Sequence, residues 1–257
     1  MKSNYWLMRD AIFDREVKIA ETAIAKRYRQ LFSSTSGQLR ELYDEIENPD
    51  GVKLASDIYQ YNKYYQLLNS LQHNLLSIGS KEISTIEKSM VSLYKTTSQL
   101  VADEIGYNFI SNEERVIKVM KSQWCGDGKI YSDRIWGKTS LLQERLMDEL
   151  TAALIRGDSA DVIAGRLERE FEVSFNQSKR LVRTELTHIQ NISAADVYQE
   201  AGYEYYRYYA VSDDKICGDC EELNGKIFRF NDAEAGDNFP PIHPNCRCGI
   251  LAADKPE

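Results

Sequence analysis

A chain of 257 residues has room for one large or two modest domains, each with a sizeable apolar core. With 40 Asp and Glu against 32 Lys and Arg, the net charge is −8, which argues against a protein that gains its main affinity by neutralising nucleic-acid phosphates. The opening stretch MKSNYWLMRDAIFDREVK is charged where a secretory leader needs an apolar run. No run of about 18–20 apolar residues is present to span a bilayer, so folding in a cytoplasm, without a membrane partner, is the expectation.

The first half reads as helix. Phe13, Val17, Ala20, Ile24, Tyr28 and Leu31 recur at steps of three and four and share one stripe. Asn48–Gly51 (NPDG) is a turn signal, and Leu54, Ile58, Tyr61, Tyr65, Leu68, Leu75 and Ile78 repeat the spacing in a second helix. Gly79 and Ser80 are expected to break it. A third helix follows through Ile83, Ile86, Met90, Leu93 and Leu100 and ends near Gly106. Three amphipathic helices predict an elongated antiparallel bundle or arm.

The texture changes at WCGDGKIYSDRIWG (Trp124–Gly137), where glycines and tryptophans replace helical periodicity, and a domain boundary is placed just before it. The expected division is 1–121, a helical N-terminal domain, and 122–257, a small α+β domain. Ser140 with Gln143 has capping-box spacing and predicts a helix start, closed at Gly157. Ser159–Phe171 reads as a short helix. Ser174 with Gln177 is a second capping box, opening a long helix through Val182, Leu186, Ile189 and Ala195 that stops at Gly202. YEYYRYYAV then alternates like a strand, and GKIFRF is a second short strand. SDDKICGDCEELN between them reads as a turn-rich connection. The fold class expected is α+β, mainly helical.

Four of the five cysteines and one of the three histidines fall in the last 41 residues, in CGDC (Cys217–Cys220) and HPNCRC (His243–Cys248). Zinc takes thiolate and imidazole ligands in a tetrahedron, and two donors separated by two residues can bind one ion from a tight turn. The favoured set is Cys217, Cys220, His243 and Cys246, two pairs of equal spacing, with Cys248 as the alternate. A structural zinc knuckle would hold together a segment with few apolar residues to bury. Redox use of C-x-x-C, a disulfide, or inert thiols are the competing readings. A redox pair is expected at a helix start in a βαβ context, and here the motif lies between two strands. The acidic residues Asp213, Asp214, Asp219, Glu221 and Glu222 read as a solvated turn surface rather than an acid–base pair, and no catalytic residue is assigned.

Other constellations carry less. Glu185-x-x-His188 has the spacing of a di-iron helix motif, but no second pair exists, and an ordinary helix-surface contact is expected. Arg183 with Glu185 could serve an ADP-ribosyltransferase-like or zinc-dependent nuclease site. The plainer reading is a buried Arg–carboxylate contact that orients this helix against the strands. Cys125 reads as a core or turn thiol.

The ordered series DRIWG, LIRGDSADVIAGRLEREF, LVRTE, AGYEYYRYYAVSDDKICGDCEELNGKIF and FPPIHPNCRCGI resembles the phage Mu F-like minor head proteins, also called head-morphogenesis proteins, over roughly Ser122–Ile250. The family's signature falls on Arg183, Thr184, Glu185, Asp213, Cys217, Cys220, Leu223, Gly225, Pro241, His243, Pro244, Cys246, Arg247 and Cys248. The resemblance implies a structural, non-enzymatic protein of a tailed phage or prophage. Such a protein would join the procapsid in low copy near the portal, contact portal, scaffold or major capsid protein, and bear on DNA packaging or exit. It would be found first in the host cytoplasm and then in the virion.

Overall fold

The computed structural model describes residues 4–46, 62–211 and 216–256. The expected turn at Asn48–Gly51, the positions Leu54, Ile58 and Tyr61, and the signature residue Asp213 lie outside them. The elements in chain order are α1 (Tyr5–Ile46), α2 (Asn62–Ile105), α3 (Glu113–Met120), α4 (Tyr131–Arg156), α5 (Ala160–Glu200), β1 (Tyr205–Tyr209), α6 (Gly218–Leu223), β2 (Ile227–Arg229), a 3₁₀ turn (Phe230–Asp232) and β3 (Gly249–Ala253). The class is α+β and mainly helical, as the periodicities indicate. Among the described residues no helix is long and apolar enough to cross a membrane.

The chain forms two compact units. One comprises Met1–Glu21, Thr85–Tyr131 and Lys179–Glu257, and the other Thr22–Ser84 and Ser132–Ser178. The elements described in the second unit are all helices. Its core is made by the expected stripe of α1 (Ile24, Tyr28, Leu31) with Leu71 and Leu75 of α2, Leu146 and Leu150 of α4, and Leu167 and Phe171 of α5, all buried. A buried ion pair, Lys138 with Glu82, lies among these helices.

Several sequence expectations fail in this unit, two of them, at Gly79 and Ser174, because a partner distant in sequence overrides a local signal. Gly79 and Ser80 do not break a helix, and α2 runs straight through them. The Trp136 indole packs so close to Gly79 that a Cβ there would lie 2.7 Å from the ring, so the glycine marks a close approach inside a helix. The DRIWG segment is helical rather than irregular, because α4 begins at Tyr131 with Asp133 in its first turn, where a negative charge suits the helix dipole. Ser140 therefore lies within α4. Likewise Ser174 caps nothing: α5 is continuous from Ala160 to Glu200, and the Ser174 hydroxyl meets the Tyr28 hydroxyl at 3.0 Å in the interior. Ser159 is the true N-terminal cap of α5, its hydroxyl accepting from Val162 N at 3.4 Å. The helix ends at Gly106, Gly157 and Gly202 fall as expected, each with positive φ.

The first unit holds the sheet. The strand order is β2-β1-β3, antiparallel throughout, with Tyr206 opposite Phe228 and Ala252, and Tyr208 opposite Ile250. β3 was not foreseen, since GILAA is too short and too weakly alternating to declare itself. The core joins Tyr206, Phe230, Phe239 and Ile250 to Ala194, Val197 and Tyr198 of α5 and to Tyr5, Val101 and Ala102 from the helical half of the sequence. Trp6 stacks on Tyr209 with ring centroids 4.0 Å apart. The buried Arg9 reaches Asn191 Oδ1 at 3.2 Å. A Cβ on Gly249 would lie 2.9 Å from that guanidinium, so the start of α1 packs tightly onto the first residue of β3.

A candidate metal centre

CGDC is not a turn. Cys217 is the N-cap of the six-residue helix α6, in extended conformation, and its sulfur accepts from Cys220 N at 3.4 Å. C-x-x-C thus does open a helix, but that helix connects antiparallel strands and no βαβ unit occurs among the described residues. The short helix turns both sulfurs to one side, with Asp219, Glu221 and Glu222 exposed on the other. Downstream, Gly225 with φ of 82° closes the connection, its N–H donating to Tyr208 O at 2.9 Å while Tyr208 N donates to Lys226 O at 2.9 Å. Leu223 packs under the cysteines.

The second arm follows the buried Pro241. In it His243 O accepts from Cys246 N at 3.1 Å, with Asn245 left-handed at φ 62° and Pro244 and Arg247 exposed. His243 Nδ1 lies 2.9 Å from Pro244 O. A proton on Nδ1 satisfies that carbonyl and leaves the lone pair of Nε2 toward the sulfurs. One face of α5 holds the arm in place. Asn245 N donates to Thr184 Oγ1 at 3.1 Å, Thr187 Oγ1 to Cys246 O at 2.8 Å, and Asn191 Nδ2 to Cys248 O at 3.1 Å. Residues 184, 187 and 191 stand at steps of three and four, so they form a polar rail along one helical stripe. Of these only Thr184 was singled out from sequence. The signal available was a Thr and an Asn repeating at helical spacing inside an apolar stretch.

The five donors gather around Cys220. Cys217 Sγ is 3.1 Å and Cys220 Sγ 3.4 Å from His243 Nε2, and Cys220 Sγ is 3.9 Å from Cys246 Sγ. The cluster divides into two triads that share Cys220: Cys217, Cys220 and His243, and Cys220, Cys246 and Cys248, the donor atoms of each lying within 4.8 Å of one another. A zinc–sulfur bond of about 2.3 Å gives a tetrahedral sulfur–sulfur edge of roughly 3.8 Å, so the donor spacing fits a bound ion. Four sulfurs and one imidazole make a soft donor set, suited to zinc and similar cations. Such an ion would supply positive charge to stabilise adjacent thiolates.

A hydrogen bond from Cys248 holds the Cys246 thiol below its ordinary value despite burial, whereas that same bond and burial push Cys248 up. Burial is the main cause that raises Cys220. Without a cation, one sulfur in the buried triad can ionise easily while its neighbours resist. The ring of Tyr208, also buried, completes the pocket, with its hydroxyl donating to Cys220 Sγ at 3.4 Å. From sequence Tyr208 read only as strand core.

Arg183 and Glu185 do not converge on a common point. Two residues apart on a helix, they diverge. Arg183 Nε donates to Glu21 Oε1 of α1 at 2.8 Å, a half-exposed pair, so the carboxylate that engages it belongs to a helix and not to the strands. Glu185 is buried, and its Oε2 accepts from Trp124 Nε1 at 3.0 Å. The expected surface contact at Glu185 and His188 is also corrected. His188 is buried beneath the Trp124 indole, the rings 4.4 Å apart and nearly parallel, and its Nδ1 has no partner among the described residues. Cys125, half-buried beside Trp124, lines with His188, Arg115 and Asp196 a groove of about 1000 Å³.

Burial lowers the His188 pKa to about 3, against about 6.5 in an unfolded chain. Between those values only the unfolded state takes up the proton, so this group's contribution to stability is present above pH 6.5 and declines as the pH falls toward 3. The expected slope is roughly 1.4 kcal/mol per pH unit. Urea titrations of wild type and His188→Gln at pH 7 and pH 5 check this: the wild type should lose more stability between the two, and equal losses would refute it.

Residues 144–251 match the family model described as phage Mu protein F like protein. The match takes in the second half of α4, all of α5, the whole central strand, both cysteine arms and every signature position from Arg183 to Cys248, in agreement with the resemblance read from the sequence motifs. No curated protein and no solved structure matches the chain.

Proposed function

We propose that this protein is a minor capsid, head-morphogenesis protein of a tailed phage or prophage, built into the procapsid in low copy near the portal and acting without catalysis. The observation that carries the reading is the Mu F-like match over residues 144–251, which coincides with the part of the chain that forms the sheet and gathers the cysteines. Portal protein, with scaffold or major capsid protein, is the partner class, and the action is on DNA packaging or exit. The host cytoplasm during assembly, followed by the capsid interior or portal vertex, is the location. Within this reading Cys217, Cys220, His243 and Cys246 hold one structural zinc, with Cys248 as the alternate fourth ligand. A closed, sulfur-rich set of this kind leaves no open position for a reacting water. Arg183, Thr184, Glu185, Gly225, Pro241, Pro244 and Arg247 then serve structure: Thr184 seats the histidine arm, Glu185 fastens Trp124, and Gly225 closes the connection onto the central strand.

The test is assembly. In lysates of cells carrying the phage or induced prophage, the tagged chain should sediment with procapsids at a few copies per particle and crosslink to portal protein. Its absence from purified procapsids would refute the reading, and so would a Glu185→Gln variant that folds and assembles normally yet loses a measurable transferase or nuclease activity of the wild type.

A further inference from the structure

We infer that Tyr208 is a positioning residue of this metal centre, its buried hydroxyl donating a hydrogen bond to the Cys220 thiolate and standing within reach of Cys246. The inference rests on the metal-binding reading above and goes beyond its ligand set. Tyr208 is fully buried, and its hydroxyl oxygen lies 3.4 Å from Cys220 Sγ and 4.0 Å from Cys246 Sγ. A phenol taken out of water needs an acceptor, and sulfurs are what this one finds.

The placement is fixed by the backbone. Tyr208 belongs to the central strand, opposite Ile250 of β3 on one side. On the other its own N–H and C=O are both engaged, by Lys226 O and Gly225 N, at 2.9 Å each. The ring therefore enters the cysteine pocket from a part of the sheet that has no freedom to swing away. Cys220, Cys246 and Cys248 are 1%, 1% and 5% exposed, so thiolate charge gathers where little solvent can answer it. An O–H aimed at the sulfur shared by both triads lowers the cost of the thiolate and reduces the electron density it gives to an ion. Such outer-sphere donors are worth about 10–100-fold in metal affinity when removed.

Phenylalanine fills the same volume without the donor, which isolates the hydrogen bond from the packing. In the full-length protein, Tyr208→Phe is expected to weaken zinc binding by about tenfold or more in competition with a chromophoric chelator. It should also move the thiolate-to-cobalt charge-transfer band of the cobalt-substituted protein to lower energy, a shift that loss of packing alone does not produce. Wild-type affinity together with an unmoved band overturns the inference. If Tyr208→Phe does not fold, 3-fluorotyrosine at position 208, a stronger donor of nearly the same size, should move the band to higher energy, and an unmoved band again overturns it. A wild-type chain that takes up neither zinc nor cobalt overturns the metal reading itself and this inference with it, a result distinct from a metal-loaded protein indifferent to Tyr208.

Discussion

Cys220→Ser is expected to yield protein without zinc, where the wild type purified without added metal carries about one ion per chain. Cys220 is the sulfur common to both triads, and it is buried, so neither half of the cluster can compensate for it. Cys217 and His243 sit at the half-exposed side and each belongs to one triad only. Cys217→Ser and His243→Ala should weaken binding and leave residual metal. Cys248→Ser should keep a full complement if Cys248 is only the alternate ligand. Structural zinc contributes about 10 kcal/mol or more to the folding of finger peptides that have little else. Here the second arm is also tied to α5 through Thr184, Thr187 and Asn191, and both arms adjoin the sheet. The loss in Cys220→Ser is accordingly placed at several kcal/mol rather than the whole of that figure. Metal analysis and urea unfolding in parallel check both parts. Wild-type protein with far less than one ion per chain would defeat the expectation, and so would Cys220→Ser with undiminished zinc.

The legible and illegible parts of this site differ by the range of the interaction behind them. Cys217 with Cys220, and His243 with Cys246, are legible because each pair has the short spacing that two ligands of one ion would need. Tyr208 could not be distinguished from Tyr206, since both alternate inward on the same strand and only the tertiary fold sends one to the apolar core and the other to the sulfurs. Thr187 and Asn191 gain their meaning from carbonyls 59 and 57 residues away. The same holds for the fold. Stripes and helix-ending glycines were legible because they depend on neighbours within a few residues. Gly79 and Ser174 were misread because rules for breakers and caps assume solvent around the helix, whereas here a Trp136 ring and a Tyr28 hydroxyl 146 residues from Ser174 stand in its place. Arg9 and Trp6 were silent in the sequence for a related reason: an amphipathic N-terminal helix gives no sign of which distant strand it will cover.

The buried pair in the helical unit supports a second large effect. Lys138 Nζ lies 2.7 Å from both carboxylate oxygens of Glu82 and 3.0 Å from the Tyr28 hydroxyl, and it also bonds Ser178 Oγ. The side chains of Lys138 and Glu82 are 8% and 1% exposed. Removing either partner leaves the other charge with no countercharge in a medium that solvates it poorly, which costs about 3–5 kcal/mol. Lys138→Met and Glu82→Met should each lower unfolding free energy by that amount. Removing both is different in kind, because the desolvation penalty of two ions disappears along with their attraction, and replacement by apolar residues of similar volume is often neutral. The double variant Glu82→Met with Lys138→Met should therefore be more stable than either single variant, within about 1–2 kcal/mol of wild type. Urea midpoints followed by helical circular dichroism measure all four proteins. Single variants within about 0.5 kcal/mol of wild type, the usual scale of a surface substitution, would show the pair to be solvated, while strictly additive losses would show that the two side chains act independently. The expected non-additive pattern would identify an interaction that fixes how four helical segments register, through one lysine that contacts side chains from the other three.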